Sequence, residues 1–226
     1  MNRFLQEANF CRLFSGLRGL GLCLALVQVG CGASGANGAR AQAGGAPAPA
    51  PTPTAADVSS AILGSWQSNG CEAPGPTLSQ RRTYAFSGTD VDIHYDVYGG
   101  TACEAGPKML IVHTRGVAKF VEPSAKVPGA TDVLFTFESR ALTPTAAGVG
   151  LLKQACGQYA WAEGVEIDVS KDGCGKLVQS NTECPIEYDL AEIAGDQAFF
   201  GDRSHPLCSI DTRPRMLLKW GVVKQP

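Results

Sequence analysis

Val91-Asp92-Ile93-His94-Tyr95-Asp96-Val97 sets Val91, Ile93, Tyr95 and Val97 on one face of an extended chain and Asp92, His94 and Asp96 on the other. Successive side chains of a strand point to opposite faces, so this period of two reads as a strand with one buried and one solvated side. The period returns in Val133, Phe135 and Phe137. It also returns in Val165, Ile167 and Val169 against Glu166 and Asp168, and in Ile186, Tyr188 and Leu190 against Glu187 and Asp189. Met216, Leu218, Trp220 and Val222 supply a last strand. Ser87-Gly88-Thr89-Asp90, Tyr98-Gly99-Gly100, Pro128-Gly129, Asp172-Gly173 and Gly201-Asp202 provide the turns between such runs. The expected fold is all-β: an antiparallel meander curled into a closed or half-closed barrel, which removes exposed sheet edges. One short helix is expected where Thr143 can cap, Pro144 suits the first turn, and Val149, Leu152 and Cys156 share a face before Gly157.

Outside this β-rich stretch, expected to be one domain over 57–226, the chain changes character. Arg3, Arg12 and Arg18 precede a short apolar core between Gly19 and Gly30, the pattern of a signal peptide over residues 1–31. It ends in Val29-Gly30-Cys31-Gly32, which is similar to a lipobox and makes Cys31 the expected site of lipidation. Cleavage at Ala39-Arg40-Ala41 or Ala41-Gln42-Ala43 is the alternative, and would release a soluble protein. Residues 32–56 are nearly all Gly, Ala, Pro, Ser and Thr, and cannot bury enough surface to offset the entropy of folding. They read as an extended tether.

The 226 residues carry 19 basic and 21 acidic side chains, a balance without the basic footprint of a nucleic-acid binder. Nine cysteines point to an oxidising compartment. Cys11 and Cys23 fall in the signal and Cys31 at its end, which leaves Cys71, Cys103, Cys156, Cys174, Cys184 and Cys208. No pair is spaced Cys-x-x-Cys, so disulfides are expected and structural zinc is not. Of the fifteen connectivities open to six cysteines, Cys71–Cys103, Cys156–Cys174 and Cys184–Cys208 are favoured because each closes a short loop.

The stretch Ile62-Leu63-Gly64-Ser65-Trp66 holds the Gly-x-Trp of lipocalin-like barrels. It continues into Ser68-Asn69-Gly70-Cys71-Glu72, Pro74-Gly75-Pro76 and Arg82-Thr83-Tyr84-Ala85-Phe86. With Cys103, Cys156, Gly173-Cys174, Phe199-Phe200-Gly201-Asp202 and Arg213-Pro214-Arg215, this ordered set resembles the adenomatosis polyposis coli down-regulated domain family. Ala73 stands where that family places an Arg. The resemblance implies a lipocalin-like half-barrel with an apolar pocket and disulfides, in a membrane-tethered extracellular protein. Animal members inhibit Wnt signalling. A lipobox belongs to bacterial chains, which have no Wnt ligand, so only the lipid-binding pocket is expected to transfer.

The expected pocket wall is Trp66, Arg82, Tyr84, Phe86, Tyr95, Phe120, Phe135, Phe137 and Trp220. Arg82 shares parity with Tyr84 and Phe86, and is expected either to cap Trp66 by a cation–π contact or to meet a lipid headgroup. Asp92, His94 and Asp96 read as a solvated polar face rather than a metal site, and His113 and His205 have no neighbour in sequence to act with. No nucleophile elbow, phosphate loop or metalloprotease helix is present, so neither an enzyme nor a cofactor is expected. The expectation is a tethered lipoprotein that binds a hydrophobic ligand such as an acyl chain. The alternative is a solid-cored module that binds another envelope protein.

Overall fold

The computed structural model describes residues 52–226. The signal peptide, Cys31 and nearly all of the tether lie outside the described residues.

Nine strands form one antiparallel sheet: β1 (Gly64–Ser68), β2 (Leu78–Ser87), β3 (Asp90–Gly99), β4 (Lys108–Pro123), β5 (Thr131–Pro144), β6 (Ile167–Asp168), β7 (Glu187–Ala194), β8 (Gln197–Phe200) and β9 (Val222–Lys224). Eight of them close into a barrel in the order β1-β2-β3-β4-β5-β7-β8-β9, with β9 returning to β1. β6 pairs only with β5, through Ala141 and Leu142, beyond the Thr131–Phe135 stretch that pairs with β7. Register carries the inward face around the ring: Trp66 opposes Tyr84, Tyr84 opposes Ile93, Tyr95 opposes Val112, Ala118 opposes Phe135, Ala191 opposes Phe200 and Ala198 opposes Val222. All of these are buried. A bulge at Glu138 on β5, opposite Arg115 and Gly116 of β4, bends the longest pair of strands. A Cβ at Gly116 would sit 2.0 Å from the Thr136 carbonyl oxygen, so only glycine fits there.

A helix not anticipated from the sequence, α1 (Ala55–Ala61), begins inside the expected tether. Thr54 caps it reciprocally with Asp57, and Val58 and Ile62 enter the core. The Ile62 carbonyl accepts from Trp66 Nε1 at 2.5 Å. Because α1 also touches β4, β5 and β7 across the ring from β1, it closes the Trp66 end of the barrel. α2 (Ala146–Ala155) starts later than expected. Thr143 and Pro144 stay in β5, paired with Ile111 and Leu110, and Thr145 is the residue that precedes the first turn. Gly148 lets α2 lie directly on Met109.

Three further expectations need correcting. The strand read over 165–169 shrinks to Ile167–Asp168, with Val165 exposed. The terminal strand begins only at Val222, Met216 being exposed and Leu217 making a lone bridge to Gly201. On β7 the parity was read correctly and the face wrongly. Glu187 and Asp189 point into the barrel opposite Phe135 and Val133, while Leu190 is covered on the outside.

Cys71–Cys103, Cys156–Cys174 and Cys184–Cys208 are bonded. Such bonds belong to an oxidising compartment. Among the described residues, no helix is long and apolar enough to cross a membrane.

Candidate functional site: the barrel interior and the outer face of β3 and β4

The strand alternation of β1, β2, β3 and β5 brings most of the expected pocket residues into one lumen. Tyr84 stacks on Phe200 with centroids 4.5 Å apart, Phe86 lies 6.4 Å from Phe200, and Phe135 lies 5.9 Å from Phe137. Tyr84, Phe135 and Phe200 have no solvent-accessible surface, so no water-sized void borders them. Phe120 is half-buried at the margin of this cluster. Trp220 stands apart from it: its ring is half-buried under the Lys219 ammonium, 4.4 Å from the centroid, and its carbonyl faces the lumen.

Arg82 does point inward, but its partner is neither Trp66 nor solvent. Its Nε lies 2.8 Å from Glu72 Oε2, Nη1 donates to the Tyr84 hydroxyl at 3.2 Å, and Nη2 donates to the Trp220 carbonyl at 2.9 Å. Ser68 completes the arrangement by donating to Glu72 Oε1 at 2.7 Å and accepting from the Arg82 backbone N–H. The cation over the Trp66 ring is Lys224, 5.2 Å from its centroid. Burial opposes the charge on Arg82, yet Tyr84 and Glu72 outweigh it and keep the guanidinium protonated.

Reasoning from sequence missed a second buried charge group. Arg140 donates from Nη1 to Glu187 Oε1 at 2.9 Å and from Nε to Asn181, while Arg203 donates from Nη2 to Asp189 Oδ2 at 2.5 Å and approaches Glu187 at 3.6 Å. Burial alone would raise the Glu187 pKa, but Arg140 and Arg203 more than reverse this and lower it. For Asp189 burial prevails over Arg203 and the pKa rises. Arg82, Arg140 and Arg203 thus face Glu72, Glu187 and Asp189, leaving the interior without excess charge of either sign. Alternation from Val133, Phe135 and Phe137 would put Arg140 on the outer face, and the extra residue Glu138 is what turns it inward, so the sequence carries no signal for it. Arg203 sits in a loop and carries none.

On the outer face the polar side of β3 divides. Asp96 pairs with Lys108 at 2.7 Å. Asp92 and His94 meet His113, which lies directly across from His94 on β4. The two imidazoles stack at 3.9 Å, and each places Nε2 beside Asp92 Oδ1, at 2.9 Å from His94 and 3.1 Å from His113. Burial first, then the neighbouring His113, lowers the proton affinity of His94.

Fold and interior together define a closed, eight-stranded antiparallel barrel lined by aromatic side chains and paired buried charges. Neither the known protein-family models nor the curated proteins include a match to this chain.

Proposed function

We propose that the protein is a non-enzymatic, extracytoplasmic recognition domain, held to a membrane through lipid on Cys31 and the Ala/Pro-rich tether, which binds another envelope protein with its outer surface. The observation that carries this reading is the lumen. Tyr84 stacks on Phe200 within it and its arginines are matched by carboxylates, which favours a packed interior without an uncompensated charge for a fatty-acid carboxylate. The motifs Gly64-Ser65-Trp66, Cys71-Glu72 and Arg82-Thr83-Tyr84 support placing the chain beside the adenomatosis polyposis coli down-regulated domain family.

The second reading, a hydrophobic ligand such as an acyl chain, is favoured by the architecture, since eight-stranded barrels have an interior of the right width for one small ligand. Native mass spectrometry of mildly purified protein, with displacement of an environment-sensitive fatty-acid probe, separates the two. The solid-core reading expects bare protein and no displacement. Co-purifying lipid establishes the second reading instead. The anchor has its own test: Cys31→Ser is expected to move the protein from the membrane to the soluble fraction, and an unchanged distribution rejects lipidation.

A further inference from the structure

We propose that Asp92, His94 and His113 form a binding site for a Zn2+-class transition-metal ion on the outer face of the barrel, with Glu166 orienting His113 from behind. The three side chains present one donor atom each within 4.8 Å of one another. Tetrahedral zinc, with bonds of about 2.0–2.2 Å, holds its ligands roughly 3.4 Å apart. The 2.9 and 3.1 Å separations from Asp92 to the two imidazoles are close to that spacing, and the imidazoles, stacked 3.9 Å apart and 20° from parallel, must rotate out of their stack for both lone pairs to meet one ion. The sheet supplies the arrangement: Asp92 and His94 are two residues apart on one face of β3, and the register sets His113 directly opposite His94.

The surroundings of His113 bring charged groups to both of its ring nitrogens. Arg115 Nε lies 3.0 Å from His113 Nε2 and its Nη2 lies 3.5 Å from Nδ1, and a guanidinium has no lone pair with which to accept. His113 Nδ1 also faces Glu166 Oε2 at 3.4 Å, on the side of the ring away from Asp92. A carboxylate behind an imidazole whose other nitrogen faces outward is the usual support of a metal-bound histidine. In the tautomer with its proton on Nδ1, His113 Nε2 and Asp92 Oδ1 are two acceptors 3.1 Å apart, and a cation between them satisfies both. Arg115, whose Nε also lies 3.3 Å from Asp92 Oδ2, now supplies that charge. It is largely exposed, at 58%, so it can swing into solvent when a metal ion takes its place.

Two imidazoles and one carboxylate suit zinc, and nickel or copper more than calcium or magnesium. Asp92 and His94 are partly open to solvent, so an ion has a path in. Three protein ligands leave a fourth position on zinc for water or for a side chain of another molecule.

The test uses the purified protein after chelator treatment, titrated with Zn2+ by calorimetry and with Co2+ by visible absorption. One equivalent of Zn2+ and the intense visible bands of tetrahedral Co2+ are expected. His94→Ala and His113→Ala should each weaken binding by about ten-fold or more, and Glu166→Gln by roughly ten-fold. Arg115→Ala should tighten it, because a competing cation is gone. His205→Ala should change nothing. His113 is buried, so near-ultraviolet circular dichroism checks that its variant folds, and the exposed His94 carries the test if it does not. The proposal is overturned if Zn2+ does not bind, if binding survives His94→Ala unchanged, or if His205→Ala abolishes it.

Discussion

Arg82 Nε lies 2.8 Å from Glu72 Oε2 with both side chains closed to solvent, tying the loop after β1 to the middle of β2. Removing one member of a buried pair leaves an uncompensated charge, whereas replacing both with apolar groups often does not. Glu72→Gln should cost about 3–5 kcal/mol in urea unfolding. Glu72→Leu combined with Arg82→Met should cost clearly less than Glu72→Gln alone. A double variant as damaged as the single one would show that Ser68, Tyr84 and the Trp220 carbonyl, rather than charge pairing, hold this site.

The three disulfides close loops with sequence separations of 32, 18 and 24. In the chain-entropy account each stabilises the fold by about 3 kcal/mol. Non-reducing peptide mapping should recover Cys71 with Cys103, Cys156 with Cys174 and Cys184 with Cys208. Replacing both cysteines of any one pair by Ala should lower the unfolding midpoint, and a different connectivity in the map would contradict the fold.

Two glycines in α2 should answer the same substitution with opposite signs. At Gly150 a Cβ meets nothing within 4 Å, so Gly150→Ala should stabilise by about 1 kcal/mol through helix propensity. At Gly148 it would lie 1.8 Å from the Met109 carbonyl oxygen, so Gly148→Ala should destabilise by about 1–3 kcal/mol despite that same propensity. Thermal melts of the two variants provide the comparison.

Alkali should weaken the fold through Tyr95. Burial raises its pKa well above the ordinary value, Tyr84 adding to this and Arg203 and Arg82 opposing it. Above pH of about 10 the unfolded chain loses this phenolic proton and the native chain keeps it. The unfolded state then binds fewer protons, and stability falls as pH rises. Urea midpoints at rising alkaline pH should decline less steeply in Tyr95→Phe than in the parent protein. Equal slopes would mean that Tyr95 ionises in the folded state.

Much of this architecture was legible because one face of β2 and β3 is wet. Alternation from Val91 to Val97 gives both the strand and its inward side, and Arg82 could be placed in the lumen from its parity with Tyr84. On β7 both faces are covered, so alternation still marks the strand but no longer says which side is inside. The outer side packs under the segment from Arg203 to Leu218, where Leu207 accepts from the Tyr188 N–H and Arg213 lies over the Tyr188 ring. Charge then misled, because Glu187 and Asp189 find arginines in parts of the chain remote in sequence. The His94–His113 pairing was hidden for a related reason: cross-strand register depends on the turn and the shift near Val97 and Tyr98, and neither strand states it alone.

The junction of β1 with β9 sets an order of events for a chain made from its N-terminus. Gln67 and Ser68 pair with Val223 and Val222, so the first strand to emerge has an open edge until the last one follows. Synthesis from the N-terminus therefore leaves a sticky half-built wall, and its hazard is pairing with a neighbouring chain. The Cys71–Cys103 bond can form as soon as both residues are in an oxidising compartment, before β9 has paired. It would tie the β1–β2 connection to the loop after β3 while the barrel waits for its last stave.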